Sequence, residues 1–563
     1  MTHDNASVKL ADLLFPDTKN TPSGGDTAYY ETLYPPRNLP AGAAVTRLGP
    51  SPTGFIHLGN LYTAFMNKKL ADETGGIFIL RIEDTDRKRE VTGAVETLIS
   101  SLAYFGVTFD EGVTYDADSD RISESGSYGP YYQSARRDIY RSYVRKLILE
   151  GKAYPCFLTE DEINEIRTRQ EREKRTPGIY GEWAKYRNLS CEEYAKRIEA
   201  GQNYVVRFKA EAESADTIEI VDGIRGKLTM PANVMDVVLL KSDGLPTYHF
   251  AHAVDDHLMR TTHVIRGEEW LSSLPIHVAL FRALGFELPI YCHSTVLMKM
   301  DDGKKRKLSK RKDPELSLEY YRSDGYHPKA ILEYLLTVIN SNFEEWRAEN
   351  PDAPIDTFEM TTEKMSVSGI LFDLEKLRDV SKEVLVKIPA TELADFVIHW
   401  AAMYKNEAHG ALSADRDRLA RILDIGRDGD KPRKDLSHAR QIFDFISYFY
   451  DEFFEIRESY PAEVSDGDVP LLLQGYIDSY EPTDDRDVWF EKIRTLATEN
   501  GYAAKPKDFK KEPDRYKGHV GHVSSVIRVA LVGRASSPDL YEIQRILGAE
   551  KVRSRIQAAI RSK

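Results

Sequence analysis

Three groups of side chains in this sequence have the types and spacing to handle anions. In the first, His57 and Gly59 stand just ahead of apolar residues at helical spacing, Leu61, Ala64, Phe65, Leu70 and Ala71. A helix N-terminus offers unpaired N–H groups and a positive dipole end, which suits a phosphate. His57 sits where that anion would lie, and Gly59 leaves no side chain above the entry to the helix. The plainer reading is that His57 and Ser51 only cap the helix. In the second, Lys307-Leu-Ser309-Lys310-Arg311 lies in a loop of Gly, Asp and Lys; as a bare charge run it reads as a solvated surface loop. In the third, Arg47 and Arg266 each offer a guanidinium fork that donates two parallel hydrogen bonds and cannot be neutralised, as reading a carboxylate requires. For Arg266 the competing reading is an internal ion pair with Glu268 or Asp255.

The elements that must position these groups are legible in outline. Ala43 to Leu48 reads as a short buried strand that ends at Pro50, and Pro50, Pro52 and Gly54 stiffen the turn into the helix, which Thr74-Gly75-Gly76 stops. Ile77 to Ile82 is a second apolar run with Glu83-Asp-Thr-Asp86 at its end. Ligands of open parallel sheets bind outside the C-terminal ends of the strands, so Arg47, Ser51, His57 and Glu83 should surround one crevice. Asp84 or Asp86 is expected to cap a helix from Val91 to Phe105. His263 to Arg266 reads as a further strand, which brings Tyr248, His252 and Arg266 toward the same crevice. Between these halves lie a charged helix at Thr159 to Arg175, a helix at Cys191 to Ala200 and short strands at Tyr204 to Lys209, Thr217 to Val221 and Val234 to Leu240. From Leu316 onward the chain reads helical, with no internal repeat and no β-rich section. The first 42 residues show little periodicity and read as an extension lying over the catalytic domain through Leu13, Phe15, Tyr29, Tyr30 and Tyr34, or as partly disordered.

Composition narrows the class. The 563 residues, 41% hydrophobic and 30% charged, make several domains of a soluble globular enzyme. No apolar run approaches the roughly 20 residues a bilayer requires, and the N-terminus lacks the core of a signal peptide, so a cytoplasmic protein without a membrane partner is expected. Cys156, Cys191 and Cys292 are scattered, which argues against a disulfide framework and a zinc cage alike. A net charge of −13 means that any nucleic acid must be held by local basic patches, such as Lys304 to Lys307 with Lys310 to Lys312, or Lys505 to Lys517.

Arg47 to Asn60, RLGPSPTGFIHLGN, resembles the opening strand and HIGH-type signature of class I aminoacyl-tRNA synthetases, in the version used by glutamyl-tRNA synthetases. The resemblance continues, in the expected order, through RIEDTDR at Arg81, LPTYHFAHAVDDH at Leu245, HVIRGEEW at His263 and KLSKRKD at Lys307, the last similar to the KMSKS loop. It implies a Rossmann-type doubly wound parallel sheet split by an α+β connective insertion and followed by an all-α anticodon-binding region. The implied boundaries are 1–42 for the extension, 43–140 and 244–312 for the catalytic fold, 141–243 for the insertion that holds the tRNA acceptor end, 313–380 for a helical stem-contact domain and 381–563 for the anticodon-binding domain.

By the same resemblance the catalytic residues are His57, Lys307 and Lys310, and ATP is bound by His57, Gly59, Asn60, Lys307, Ser309, Lys310 and Arg311. L-glutamate is read by Arg47, Gly49, Ser51, Glu83, Tyr248, His252 and Arg266. ATP with Mg2+, L-glutamate and tRNA(Glu) are implied as substrates, acting on a monomer. Two departures stand out: Cys156-Phe-Leu158 replaces the Cys-x-Cys of many relatives, so no zinc is expected, and His252 replaces the Asn of some. The competing readings are a glutaminyl-tRNA synthetase, an enzyme that also charges tRNA(Gln), a short relative that glutamylates a tRNA base, and a non-catalytic RNA-binding paralogue.

Overall fold

A computed structural model describes residues 5–562 apart from 55, 87, 89 and 428–430. The chain divides into two compact units, one of residues 1–318 with 335–373 and one of residues 319–334 with 374–563.

In the first unit the opening segment is helical rather than irregular, with α1 at Asn5–Leu14 and α2 at Thr27–Leu33. Polar residues hide its periodicity, yet Leu10, Ala11, Leu14, Phe15, Tyr30 and Tyr34 are buried while Tyr29 is exposed. Side chains of and after α2 fix it in place. Glu31 accepts from Arg260 and Tyr143, and Arg37 grips Glu111 with two bonds of 2.8 and 2.9 Å.

Strand β1, Val45–Leu48, is buried along its whole length. It leads into α3, Leu58–Thr74, which ends on Gly75 in the left-handed conformation at φ 66°. Strand β2, Ile77–Leu80, pairs in parallel with β1. After α4, Ala94–Tyr104, comes β3, Glu111–Asp116, parallel to β2, and then β4, Arg121–Ser125, antiparallel at the edge. Helix α4 begins after Gly93, with no side-chain cap. Neither Asp84 nor Asp86 caps it: Asp84 accepts the backbone N–H and hydroxyl of Ser134 instead.

Helix α5, Arg137–Leu149, leads to a small antiparallel sheet of β5, Ala153–Cys156, β6, Val205–Phe208, and β9, Val238–Leu240. Helices α6, Glu160–Arg172, and α7, Cys191–Glu199, both start on capping boxes. A separate hairpin of β7, Thr217–Asp222, and β8, Gly226–Pro231, is only half visible in the sequence, where β8 carries no apolar run. The chain then forms α8, Tyr248–Leu258, β10, His263–Gly267, α9, Leu274–Leu284, and β11, Ile290–Ser294, with β10 and β11 parallel. Thr262 stitches this half to the first: its N–H donates to the Val45 carbonyl at 2.9 Å and its hydroxyl accepts from Val45 N–H at 2.8 Å. Strands β12, Leu297–Asp301, and β13, Lys304–Lys307, form a hairpin, and β14, Ile370–Leu371, adds a short parallel strand beside β12.

The second unit is built of helices, among them Ala390–Tyr404, Ala439–Ile446, Asp468–Ser479, Val520–Val532 and Ala549–Arg561. Trp400 is its largest buried side chain, and its indole N–H donates to the Ser323 carbonyl at 3.0 Å. Lys505, Lys507, Lys510, Lys511, Arg515 and Lys517 are all exposed. Among the described residues no helix is long and apolar enough to cross a membrane.

In the first unit α5 and α8 are fastened by Asp255, which is fully buried. It accepts from Arg136 at 2.7 Å, Tyr140 at 2.8 Å and Gln133 at 2.9 Å. Removing one partner of a buried ion pair leaves a stranded charge, so Asp255→Ala should cost about 3–5 kcal/mol. The first transition in urea unfolding, followed by tryptophan fluorescence, should move to lower denaturant; an unmoved transition would show that Arg136 finds another partner.

Candidate active site

The loop from β1 delivers His57 as the N-cap of α3. Its Nδ1 accepts the Asn60 N–H at 3.2 Å, and the Asn60 carboxamide oxygen accepts the His57 N–H at 3.0 Å. Burial first, then the charges of Lys310 and Lys307, bring the imidazole down to about 4. A neutral ring whose Nδ1 accepts must carry its proton on Nε2. The cap and the anion contact are therefore one geometry: Nδ1 holds the helix start and Nε2–H is a donor at its positive end. Asn60, expected at the nucleotide, spends its side chain on this cap. A Cβ at Gly59 would stand 2.9 Å from His57 Nδ1, so the glycine makes room for the imidazole itself.

Beneath the loop lies a buried charge cluster. Arg47, 4% exposed, donates through Nε to Asp256 at 3.1 Å. Arg81, fully buried, donates to Asp256 at 2.5 Å and to Glu83 at 3.1 Å. Burial pushes Asp256 up, yet Arg47 and Arg81 overcome it and hold the carboxyl well below the usual range. Glu83 has the opposite balance: burial lifts it above the ordinary carboxylate value against the pull of Arg81 and Arg47. A Cβ at Gly49 would run into the Glu83 carboxylate, so this glycine lets the loop lie directly on it. Ser51 is exposed on the same loop.

Across the crevice, Arg266 projects from β10 and is 5% exposed. It pairs with neither Glu268, which holds Arg225, nor Asp255, which holds Arg136. Its Nε donates to His293 Nε2 and its Nη2 to His277 Nδ1, both at 3.1 Å. Its Nη1 is buried without a hydrogen-bond partner among the described residues. Tyr248, half-buried at the start of α8, lies with its ring 4.3 Å from that of Trp270, and the Arg266 guanidinium lies over the same indole at 5.9 Å. Burial first, then the charge of Glu83, raises the Tyr248 phenol, while Arg266 and Arg47 pull it down. His252 is different. It is fully buried, with Nδ1 2.9 Å from Asp256 and Nε2 3.1 Å from the Tyr291 hydroxyl, and it lies behind the crevice wall.

The KLSKR stretch opens on Lys307, the last residue of β13, and only then continues as a loop. Lys307, Lys310 and Arg311 are exposed, and Ser309 is half-buried. Asp313, 2% exposed, fixes the loop from inside: it takes two bonds from Arg306 at 2.6 and 2.8 Å and the Ser309 N–H at 2.8 Å. Those Arg306 bonds hold its carboxyl far below the usual range. Ser317, just beyond, bridges to His57. The lysines that depress His57 are therefore carried on a loop anchored beside it.

Sequence reasoning misses Arg81, Asp256, Asp313, Trp270, His277 and His293 as parts of the site. Arg81 directly follows the apolar strand β2, where a charge must find a partner; Asp256, Asp313 and the histidines leave no such signal.

Similarity to known proteins extends over nearly the whole chain. A family model described as the catalytic domain of class I tRNA synthetases (E and Q) matches residues 43–379, and one described as an anticodon binding domain matches residues 414–560. A protein named glutamate–tRNA ligase from Acetivibrio thermocellus is 57% identical over 98% of this chain and 99% of its own length. One of the same name from Clostridium perfringens is 47% identical over 99% of each. Among solved structures, a glutamate tRNA ligase from Elizabethkingia meningosepticum in complex with its amino acid superposes with a TM-score of 0.73 at 28% identity, over 92% of this chain and 99% of that one. With the family model spanning more than half of the chain and relatives matching nearly all of it, the chain belongs to the class I (E and Q) tRNA synthetases.

Proposed function

We propose that this chain activates L-glutamate with ATP to glutamyl-adenylate and pyrophosphate, then transfers the glutamyl group to the terminal ribose of tRNA(Glu) in the cytoplasm, as a monomer. The near full-length relatives named glutamate–tRNA ligase support the reaction. The observation that carries the choice of amino acid is Arg266: a buried cation whose protein contacts are imidazoles rather than carboxylates. Glutamine, neutral and nearly isosteric with glutamate, would leave that charge unpaired, and a polar pocket discriminates strongly on such grounds.

In the first step an oxygen of the glutamate α-carboxylate attacks the α-phosphorus, and the bond to pyrophosphate breaks. Such a step needs positioning and charge neutralisation more than a protein nucleophile. His57 Nε2–H would donate to the α-phosphate as charge builds there. Lys307 and Lys310 would neutralise the departing pyrophosphate, with Ser309 and Arg311 on the same loop and the backbone at Gly59 facing the nucleotide. Magnesium enters with the nucleotide as Mg2+–ATP. Arg266, Arg47 and Tyr248 would read the side-chain carboxylate, and Ser51 with the backbone at Gly49 the main-chain groups. Glu83, lifted by burial that Arg81 and Arg47 do not fully offset, would take the α-ammonium as its missing cation. His252 acts here through Asp256 and Tyr291 rather than on glutamate. The segments 141–243 and 381–563 would hold the acceptor end and the anticodon, the latter with the basic stretch Lys505 to Lys517.

The direct test is aminoacylation of purified tRNA(Glu) and tRNA(Gln) with labelled glutamate and glutamine. Glutamate on tRNA(Glu) is the expected product; glutamine on tRNA(Gln) would reverse the assignment, and an absence of pyrophosphate exchange would point to an RNA-binding paralogue.

Arg266→Gln should weaken glutamate by about 2–5 kcal/mol, the scale for truncating one partner of a desolvated charge pair, and glutamine much less. The glutamate KM should rise while the ATP KM stays put; the reverse pattern would move the specificity pocket elsewhere.

His57→Ala should lower kcat by about 10²–10³, the scale for one transition-state donor. Because the folded imidazole titrates near 4, below the unfolded value of about 6.5, the neutral ring contributes its full stability above the unfolded value and loses it as pH falls through that window. The pyrophosphate-exchange profile of the parent should thus lack a His57 step near neutrality; a fall in activity with rising pH there that His57→Ala abolishes would show that the cationic ring is the acting form.

A further inference from the structure

The contacts around Arg266 form a chain whose donor directions are set at every link. Arg266 can only donate, so His293 Nε2 must accept, and the proton of His293 sits on Nδ1, 2.6 Å from Asp222 Oδ2. By the same logic His277 Nδ1 accepts from Arg266 and its Nε2–H faces His249 Nδ1 at 3.0 Å. Burial depresses all three imidazoles, so each is a neutral acceptor or donor rather than a competing cation. Asp222 in turn is fixed from its own hairpin. Its Oδ1 accepts the N–H groups of Ile224 and Arg225 at 3.0 and 2.9 Å, and the backbone N–H of His293 reaches both oxygens at 3.3 and 3.2 Å, so Oδ2 meets His293 through its backbone as well as its imidazole.

The hairpin is seated for this purpose. Ile218 packs with Val264, Leu274, Val278 and Tyr291, all fully or nearly fully buried, so β7 shares a core with β10, α9 and β11. Gly223 N–H donates to the Tyr291 carbonyl at 2.8 Å, and a Cβ at Gly223 would stand 2.6 Å from Cys292 Sγ. The turn therefore lies directly on β11, one strand over from Arg266.

We propose that Asp222 and His293 are positioning residues for amino-acid recognition: the hairpin carboxylate locks His293 as a neutral acceptor, which fixes the plane of Arg266 without cancelling its charge. A carboxylate placed directly on Arg266 would hold it as well and leave little attraction for a substrate anion. An imidazole's width of separation keeps the orientation and spares the charge, and Nη1, buried without a hydrogen-bond partner among the described residues, remains for the ligand. The inference rests on the reading that Arg266 binds glutamate.

The telling substitution is Asp222→Asn. Its carbonyl oxygen would keep the two backbone N–H groups, so its amide nitrogen would face His293 Nδ1 and drive the imidazole proton to Nε2, against Arg266. A carboxamide in place of a histidine-orienting carboxylate enforces the wrong tautomer in the same way in the serine protease triad. Pyrophosphate exchange should show a glutamate KM at least about tenfold higher for Asp222→Asn and for His293→Leu, with the ATP KM within about twofold. His293→Gln, which retains a neutral acceptor, should stay within about threefold of the parent, whereas His293→Glu should lose preference for glutamate over glutamine. An unchanged glutamate KM in Asp222→Asn, or equal losses for glutamate and ATP in a variant that melts like the parent, would overturn the proposal. Arg266→Gln measured alongside separates the two layers. If it also leaves glutamate untouched, the pocket reading has failed; if it alone raises the glutamate KM, only the relay has.

Discussion

Arg81 and Asp256 meet where no water reaches either of them, and the crevice is assembled around that contact. Burying two such ions costs several kcal/mol each, and their attraction repays it only with further hydrogen bonds in good geometry. Here those bonds come from the neighbours. Asp256 also holds Arg47 and His252, Arg81 also reaches Glu83, and the adjacent Asp255 gathers Arg136, Gln133 and Tyr140. Strand β1, the end of β2, α5 and α8 are thereby tied by charge as well as by apolar packing. The positions of Arg47 and Glu83 are consequences of this cluster, so a substrate meets groups that are already oriented and already desolvated.

Charge is handled in three different ways around the crevice. In the base cluster opposite charges pair and nearly cancel. At Arg266 the partners are neutral imidazoles, so direction is fixed and charge remains. In the KLSKR stretch Lys307, Lys310 and Arg311 are exposed, and the turn beneath them is locked through Asp313 and Arg306. Each suits a different ligand group. A carboxylate that must be told from an amide calls for a fixed, unspent cation. A pyrophosphate that forms and leaves is better met by solvated lysines on an anchored loop, because burying them would add a desolvation penalty to every cycle.

How much of this can be read from residues alone follows a physical divide. Local signals are clear: the proline-stiffened turn, the Thr74-Gly75-Gly76 stop, and the charged motifs at strand ends all correspond to elements of the fold. Local chemistry is readable too, since an arginine fork or a lysine run announces its ligand class. What sequence withholds is pairing across distance. Asp84 has the composition of a helix cap and serves Ser134, fifty residues on. Arg266 has plausible carboxylate partners nearby in the chain and takes histidines from β11 and α9 instead. The opening 42 residues look irregular because their anchors are Tyr143, His257, Arg260 and Glu111, none of them nearby in sequence.

His57 and His252 show why residue identity alone underdetermines role. Both are histidines beside the same crevice, and burial leaves both neutral, the first near 4 and the second near 3. The difference lies in where the second nitrogen goes. His57 uses Nδ1 to start a helix, so its proton sits on Nε2, at the end of the helix where an anion gathers. His252 has a carboxylate 2.9 Å from Nδ1 and a phenol at Nε2, so both nitrogens face groups inside the protein and its influence on a ligand passes through Asp256 to Arg47. An asparagine at that position could satisfy one of those partners but would not span the distance to both. The histidine is thus matched to Tyr291 and Asp256 as a pair, and its choice belongs to the wall of the site rather than to its mouth.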